Sequence, residues 1–408
     1  MKKKYFVQVI ILILVFFSLA CVGRAKNVKP GIDVLLEEQL DLLKGKQVGL
    51  ITNPSGVNSK MESTVDLLYN HPDINLVALF GPEHGVRGDV TGGFKVDDFK
   101  DPKTGVPVYS LYGTTRKPTP EMLENVDVLI YDIQDIGSRA YTYIYTMALS
   151  MKAAAEQGKQ FIVLDRPNPL GGNLVEGPVL DTTFSSFIGL YPIPFVYGLT
   201  VGELAQLFNT EFDINVDLTV ISLKNWSRNM TGDKTGLEWV ITSPHIPHSK
   251  TALFCAAIGC IGELHTIDVG IGYTLPFELI GEEWMDANEL SMELNSFHLP
   301  GVYFRPMHYK PYYFTRKDTQ LQGVQIHITE LAEFKPMMTQ IYILCAIRKL
   351  YPEQPIFETK RTGSFDKAMG TDKIRQEVWD GKSPVEIIAE WQDDLDAFMK
   401  IREKYLIY

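Results

Sequence analysis

The stretch DVLIYDIQDIGSRAYTYIYTMALSMKAAAEQGKQFIVLD, residues 127–165, decides the fold of this chain. It consists of a short apolar run, a long segment with helical character and a second apolar run. Similar apolar runs occur earlier in the chain, at 48–52 (VGLIT), 75–80 (NLVALF) and 106–112 (VPVYSLY). Near-continuous Val, Ile and Leu strands that alternate with helices are typical of a mostly parallel sheet covered on both faces. The sequence therefore predicts a Rossmann-like α/β domain.

The predicted elements continue to the end of the chain, with a change of character near Pro247. In the first half, helices are predicted at 63–70, 118–126, 141–157 and 200–212, and a further strand at 217–223. The second half is less regular, with predicted strands at 302–306 and 324–328 and helices at 286–297, 335–350 and 384–406. We therefore expect a Rossmann-like catalytic domain over 26–247 and a smaller α+β domain over 248–408 that completes a cleft.

The first 25 residues, MKKKYFVQVIILILVFFSLACVGRA, have the layout of a secretory signal peptide: three lysines, an apolar run and small residues near its end. The apolar run is shorter than the roughly 20 residues of a membrane-spanning helix, which favours cleavage. Two cleavage positions compete. A cut after Ala25 releases a soluble protein, whereas Ser18-Leu19-Ala20-Cys21 resembles a lipoprotein box that would leave a lipid anchor on Cys21. We expect an exported protein, either secreted, periplasmic or an outer-membrane-associated lipoprotein.

Composition argues against several classes of partner. The 408-residue chain has a formal net charge of −11, and cleavage after Ala25 removes three lysines and one arginine, which gives −11 − 4 = −15. Such a chain offers no basic surface for nucleic acid, and its only predicted contact with a membrane is the anchor at Cys21. The remaining cysteines, Cys255, Cys260 and Cys345, are too few for a disulfide framework and are expected to be buried.

Polar side chains follow four of the predicted strands. In an open parallel sheet, ligands bind beyond the carboxyl ends of the strands, so a site is predicted on this rim, with solvated turns as the alternative. The candidate residues are Asn53 after the first strand, Glu83, His84 and Arg87 after the second, Asp132, Gln134, Asp135 and Arg139 after DVLIY at 127–131, and Arg166 and Asn168 after FIVLD at 161–165.

The motifs that are missing narrow the chemistry. The sequence has neither GxGxxG nor GxxxxGK[ST], so a nucleotide is not indicated, and it has no GxSxG nucleophile elbow. It also lacks HExxH, and we predict no metal and no organic cofactor. Paired carboxylates remain, and glycoside hydrolysis is a reaction that uses them without a cofactor. A binding protein without turnover and a metal-dependent hydrolase of another bond remain as alternatives.

Four motifs resemble those of a known family. They are GPEHG at 81–85, YDIQDIGSRAYTY at 131–143, DRPNPLGG at 165–172 and IGELHTIDVGIGYTLPFELIG at 261–281. Together they resemble the NamZ-type exo-β-N-acetylmuramidases. The resemblance implies a Rossmann-like N-terminal domain, a smaller C-terminal domain, a cleft between them and release of N-acetylmuramic acid from the non-reducing end of peptidoglycan fragments. The implied partners are peptidoglycan-derived saccharides.

The resemblance also assigns the two catalytic carboxylates. It makes Glu83 the leading candidate and Glu263 its partner across the cleft. The family pattern after the second glutamate is nearer to GTxxxxGRGTxxPFE, whereas here Ile271-Gly272-Tyr273-Thr274 replaces the Arg-Gly-Thr turn. The loss of a ligand-facing arginine there affects the exact substrate more than the reaction class.

Glycosidase chemistry suggests roles for the other rim residues. One carboxyl must donate a proton to the leaving oxygen, and Glu83, directly after an apolar strand, suits this. Muramic acid carries a lactyl carboxylate, for which the arginine fork is a fitting partner. The candidates are Arg87, Arg139 and Arg166, each with an alternative role as the structural ion-pair partner of an aspartate.

Three further substrate contacts are predicted around these groups. His84 either orients Glu83 or donates to the sugar, or else it caps the next helix. Tyr141, from a row with Tyr143 and Tyr145, is a candidate for stacking on a sugar, although alternate positions in a helix are expected to divide between core and surface. Glu278 is a weaker candidate. The sequence leaves open whether anomeric configuration is retained, and also the oligomeric state.

Overall fold

The computed structural model describes residues 27–88, 99–357 and 359–408. The predicted signal peptide, with both cleavage positions and Cys21, lies outside the described residues. Within the described ranges, no helix is both long and apolar enough to cross a membrane.

The first half is built on a seven-stranded sheet. Its strands are β1 (Gln47–Thr52), β2 (Asn75–Gly81), β3 (Phe99–Lys100), β4 (Pro107–Ser110), β5 (Val128–Asp132), β6 (Gln160–Leu164) and β9 (Asp217–Ile221). Strands β7 (Glu176–Val179) and β8 (Pro194–Val196) form a separate antiparallel pair. The order across the sheet is β3-β4-β2-β1-β5-β6-β9, and every pairing is parallel except β3 with β4. The predicted parallel sheet is confirmed.

Alternation along β5 shows why both faces of this sheet are covered. Val128 and Ile130 point into one hydrophobic core, whereas Leu129 and Tyr131 point into another, and all four are fully buried. Helices pack on each face because a strand with apolar side chains on both sides must lose water from both. Helices α1 (Gly31–Glu38) and α2 (Thr64–Asn70) contribute to the first core, and α3 (Tyr143–Glu156) and α4 (Val201–Glu211) contribute to the second.

The strand order reverses at β1, which pairs with β2 on one side and with β5 on the other. This topological switch point is where the carboxyl ends of neighbouring strands leave a crevice in an open α/β sheet. The loops after β1, β2 and β5 therefore come together at one edge, as the sequence predicts.

The second half forms its own core around a three-stranded antiparallel sheet. Its elements are α5 (Thr251–Gly262), β10 (Leu279–Glu282), α6 (Ala287–Ser296), β11 (Val302–Tyr309), β12 (Leu321–Ile328), α7 (Pro336–Leu350), α8 (Thr362–Met369), α9 (Lys373–Trp379), α10 (Pro384–Ala389) and α11 (Gln392–Arg402). Helix α5 is missing from the sequence prediction. It is apolar nearly all round, so it has no amphipathic period, and it lies at the centre of this core.

Two helix predictions need correction. The segment predicted as one helix over 384–406 divides into α10, α11 and a 3₁₀ turn at Glu403–Tyr405, and only a 3₁₀ turn at Glu121–Leu123 forms within 118–126. The end of the chain also returns to the first half. The Arg402 guanidinium donates to the carbonyl of Gly198 at 2.9 Å, and the Tyr408 hydroxyl donates to Asp165 Oδ2 at 2.6 Å.

The three cysteines within the described residues are free; Cys260 is buried, whereas Cys255 and Cys345 are only half-buried.

Candidate active site

A tight turn at the end of β2 positions Glu83. The strand ends at Gly81, and the turn closes through a hydrogen bond from the Gly85 N–H to the Pro82 carbonyl at 3.0 Å. His84 has φ 71° and Gly85 has φ 77°, so two consecutive residues adopt the left-handed conformation. For a residue other than glycine this conformation costs about 1–2 kcal/mol, which the surrounding fold must offset. The turn thus holds Glu83 rigidly at the sheet edge.

Two tyrosines lie next to Glu83. The Tyr112 hydroxyl donates to the Glu83 carboxylate, and burial together with this hydrogen bond raises the pKa of Tyr112 to about 12. Tyr143, at the start of α3, is close enough to interact electrostatically with Glu83, and its hydroxyl donates to the Thr242 carbonyl at 2.7 Å. Tyr112 therefore remains a neutral hydrogen-bond donor at neutral pH.

Two aromatic side chains from later in the sequence, His245 and Tyr313, lie near the same turn. Burial, and secondarily the neighbouring His84, lowers the pKa of His245. The His245 Nε2 atom lies 3.2 Å from the Tyr313 hydroxyl, and the two rings are nearly parallel at 14°. Tyr313 belongs to the loop between β11 and β12, so the two halves of the chain meet at His245, which neighbours His84.

Glu263 lies at the C-terminal end of α5, directly after Gly262. Its Oε2 atom accepts a hydrogen bond from Arg361 Nη2 at 2.7 Å, and its main-chain carbonyl accepts one from Arg361 Nε at 2.9 Å. The carboxylate lines a cavity of about 270 Å³ whose walls include Tyr141, Ile271, Phe314 and Arg316. Glu263 is thus presented to a largely apolar space by the end of a buried helix.

A pair of tyrosines links the two predicted catalytic glutamates. Tyr143 neighbours Glu83, Tyr141 lines the cavity at Glu263, and their rings pack edge to face with centroids 4.7 Å apart. The Tyr141 hydroxyl donates to Thr242 Oγ1 at 2.9 Å, which fixes its ring. Tyr143 and Tyr145 are both buried in α3, and Tyr141, which precedes the helix, is half-buried. None of the three lies on the surface, so the expected division of the row between core and surface is wrong.

The three arginines predicted to meet a lactyl carboxylate are occupied by the protein. Arg139 is completely buried and donates to four main-chain carbonyls, those of Pro178, Ile193, Ala368 and Met369. Arg166 forms a buried ion pair with Asp132, as the alternative interpretation proposed. Arg87 pairs with Asp101 and Asp66 at 2.9 and 3.2 Å. The substrate role predicted for Arg139 is wrong, and the other two are structural ion-pair partners.

Several other predicted rim contacts are also buried. Asp132 is fully buried, which contradicts its predicted contact with substrate, and Asn53, Asp135 and Asn168 are at most 4% exposed. Each of the last three has a hydrogen bond to a protein group: the Thr242 carbonyl for Asn53, the Tyr197 hydroxyl for Asp135 and the Leu199 carbonyl for Asn168. Among the described residues, Oδ1 of Asp135 has no partner. These residues shape the loops of the rim, because amide and carboxylate groups satisfy the backbone of tight turns.

Gln134 and Glu278 are not among the residues that line the Glu263 cavity. Gln134 donates to the carbonyls of Asp135 and Pro167, both at 2.8 Å, and lines a second cavity of about 240 Å³ at the switch point. Glu278 is half-buried beside His248 and Lys250, and burial raises its pKa. His248 lines the second cavity, so Glu278 lies close to that cavity.

The altered turn at 271–274 places an apolar side chain where the family pattern has arginine. Ile271 lines the Glu263 cavity, and the turn is held by the Tyr312 N–H, which donates to the Gly272 carbonyl at 2.7 Å. The sequence prediction missed the groups that surround Glu83 and Glu263 in space, namely Tyr112, His245, Tyr313, Arg316 and Arg361. No short motif contains them. Within the described ranges, no three His, Cys, Asp or Glu side chains cluster as a metal site would require.

Comparison with known proteins gives a consistent assignment. The models for the N-terminal and C-terminal parts of exo-β-N-acetylmuramidase NamZ match residues 48–250 and 256–408. The chain belongs to the NamZ family. It is 52% identical over 386 residues, 95% of this chain and 92% of the relative, to the peptidoglycan β-N-acetylmuramidase NamZ of Bacillus subtilis. The family predicted from the four motifs is confirmed, and with it a glycosidase that acts on peptidoglycan.

Two crystal structures of DUF1343 family proteins from Bacteroides fragilis share the NamZ-family fold seen here. The first is 46% identical with a TM-score of 0.90, and the second is 29% identical with a TM-score of 0.73. Each alignment covers 94% of this chain and 99% of the crystal structure. The arrangement of both halves is therefore shared across nearly the whole chain.

Proposed function

We propose that this protein is an exo-β-N-acetylmuramidase that releases N-acetylmuramic acid from the non-reducing end of peptidoglycan fragments. The observation that carries the proposal is that the family match extends through both halves and so includes both Glu83 and Glu263. Glu83 and Glu263 are the two carboxylates that the hydrolysis of a glycosidic bond needs. Tyr143, which neighbours Glu83, packs against Tyr141, which lines the cavity at Glu263.

The size of the cavity at Glu263 supports action on a terminal sugar. Its volume of about 270 Å³ is just below the roughly 300–1,000 Å³ of most small-molecule sites. That space suits one sugar ring with its substituents better than a continuous glycan. Its apolar walls, among them Ile271 and Phe314, suit the methyl groups of acetamido and lactyl substituents.

Arg316 is the best-placed group for the lactyl carboxylate. It lines the same cavity as Glu263, and its side chain is 26% exposed. Glu282 accepts from its Nε atom and the His265 carbonyl accepts from Nη2 at 3.0 Å, which hold the guanidinium in one orientation. Within the described part of the chain, Nη1 has no hydrogen bond. A guanidinium held this way can bind a carboxylate through its remaining N–H groups.

The proposal is tested with chromogenic aryl glycosides of N-acetylmuramic acid and of N-acetylglucosamine, and with defined peptidoglycan fragments analysed by mass spectrometry. We expect free N-acetylmuramic acid from the first substrate and from the non-reducing end of the fragments. Internal cleavage of longer fragments would contradict exo action. Binding without release of the sugar would show a binding protein, and loss of activity on chelation would show a metal-dependent hydrolase.

We further propose that the protein is exported, and that its mature form begins after residue 25 or at a lipidated Cys21. The support is the sequence of residues 1–25, together with a substrate that forms the cell wall. Mass spectrometry of the protein from its native host distinguishes the two forms by the mass of the N-terminal peptide. An intact Met1 on the active protein would contradict export by cleavage.

A further inference from the structure

The contact between Arg361 and Glu263 is unusual because one guanidinium holds both the side chain and the backbone of the same residue. Nη2 donates to the carboxylate oxygen Oε2 at 2.7 Å, and Nε donates to the main-chain carbonyl at 2.9 Å. In the part of the chain that the structure describes, Oε1 of Glu263 has no hydrogen bond. Because the guanidinium is planar and its donors are fixed, this grip sets the direction of the carboxylate as well as its position.

Arg361 is itself tied to the loop that follows Glu263. Thr266 Oγ1 donates to the Ile356 carbonyl at 2.8 Å, and the Arg361 N–H donates to Thr359 Oγ1 at 3.0 Å. The segment before α8 thus lies against the loop after α5, although 98 residues separate Arg361 from Glu263. The side chains of Arg361 and Glu263 are 41% and 38% exposed, and an ion pair at this exposure adds little to stability.

The partners of the two glutamates differ in charge. Glu83 receives its hydrogen bond from the neutral hydroxyl of Tyr112, whereas Glu263 is paired with a cation. The guanidinium of Arg361 has only N–H donors, so its contact with Glu263 requires an acceptor oxygen, whereas a tyrosine hydroxyl can both donate and accept. We propose that Arg361 is a positioning residue that holds Glu263 as the charged carboxylate of the reaction, which leaves Glu83 as the acid. This inference rests on the proposed function.

The roles balance for hydrolysis. The carboxyl proton of Glu83 passes to the glycosidic oxygen while the C1–O bond breaks and its electron pair stays on that oxygen. Glu263 either accepts a proton from the attacking water or bonds to C1 itself until water replaces it. In both courses one water is consumed and its hydroxyl ends on C1. Both courses require Glu263 to begin without a proton.

Other ionisable groups lie near Glu263. Arg316 comes from the β11–β12 loop, His265 from the loop of Glu263 itself, and Cys255 and Cys260 from α5. Burial lowers the pKa of His265 and raises that of Cys255, so neither carries charge near pH 7. Arg361 and Arg316 are therefore the cations among these groups, and only Arg361 contacts the carboxylate of Glu263.

The experiment compares two muramic acid glycosides, one with a strongly activated aryl leaving group and one with a poor leaving group. Loss of the acid slows hydrolysis only of the substrate with the poor leaving group, because an activated phenolate leaves without a proton. We expect Glu83→Gln to follow that pattern. Arg361→Met should lower kcat on both substrates equally, by about 10- to 100-fold. Arg361→Lys, which keeps the charge, should recover part of this loss.

Lys349→Met is the matched control, because Lys349 forms an ion pair of the same 2.7 Å length with Glu293 outside the cleft. It should behave as wild type. An Arg361→Met protein with wild-type rates, or with a loss confined to the poor leaving group, would overturn the inference while leaving the proposed function intact. If Arg361→Met does not fold, the same comparison is decided by Arg361→Lys, whose kcat must then be lower than that of the wild type on both substrates. A wild-type protein that cleaves neither glycoside would overturn the proposed function and this inference with it.

Discussion

Tyr141 and Tyr143 pack edge to face with their ring centroids 4.7 Å apart, and together they join the surroundings of Glu83 to those of Glu263. The first of the two glutamates follows a sheet strand and the second ends a buried helix. A single pair of rings thus relates an element of the first half to an element of the second.

Replacing Glu83 by glutamine should abolish most of the activity. The amide keeps the size and hydrogen bonding of the side chain but cannot donate a proton as an acid. We expect kcat on an unactivated substrate to fall by roughly 10²- to 10⁴-fold. Release of N-acetylmuramic acid and the melting temperature are measured together. Near wild-type release by a normally folded variant would remove Glu83 from the mechanism.

Tyr112→Phe should slow turnover moderately. The change removes the hydroxyl that donates to Glu83 and keeps the ring. A hydrogen bond of this kind contributes about 0.5–1.5 kcal/mol, so we expect kcat to fall roughly 2- to 12-fold with KM little changed. Tyr109→Phe is the control, because the Tyr109 ring packs on Phe80 and its hydroxyl has no hydrogen bond among the described residues. Equal effects of the two variants would contradict a specific role for Tyr112.

Arg316→Met should reduce the preference for muramic acid over N-acetylglucosamine. A charge-assisted hydrogen bond contributes about 1.5–3 kcal/mol, so the ratio of kcat/KM for the two sugars should fall by roughly 10- to 150-fold. Glu282 is 5% exposed and pairs with Arg316, so Arg316→Met alone also leaves a buried carboxylate without its partner. The double variant Arg316→Met, Glu282→Gln removes that carboxylate charge, and any loss of sugar preference that remains is due to the missing arginine. Arg305→Met, an exposed position on β11, is the control. The same loss on both sugars would assign Arg316 to structure.

Arg87→Met should affect stability rather than specificity. Arg87 is the largest cause that lowers the pKa of Asp101 from 3.8 to about 2. Since the pKa is lower in the folded protein, the stabilisation is complete above about pH 4 and is lost as the pH falls through about 2. With 1.4 kcal/mol per pKa unit, and allowing for partial exposure of Arg87, we expect a loss of about 1–2 kcal/mol at pH 7. Urea unfolding measures it, and a difference from wild type that stays undiminished as the pH falls through about 2 would contradict this origin.

The sequence by itself determined the parallel sheet, its strands and the rim on which polar residues gather. A strand or amphipathic helix shows its period within a few neighbouring residues, so β1, β2, β5 and β6 can be read from local pattern. The two motif glutamates are also local features, each at the end of an element. Helix α5 has no such period because it is apolar nearly all round, so local pattern did not reveal it.

Only the tertiary structure decided which charged groups are available to a ligand. Arg139 follows a strand exactly as a ligand-binding arginine would, yet its carbonyl partner Met369 is 230 residues away in the sequence. Arg361 belongs to none of the four motifs, yet it binds Glu263, which is 98 residues away in the sequence. A buried arginine is stable only if hydrogen-bond acceptors offset the cost of removing it from water, and the fold supplies those acceptors from distant parts of the chain. Residue type and spacing therefore predict where a site lies, whereas long-range packing decides which side chains remain to serve it.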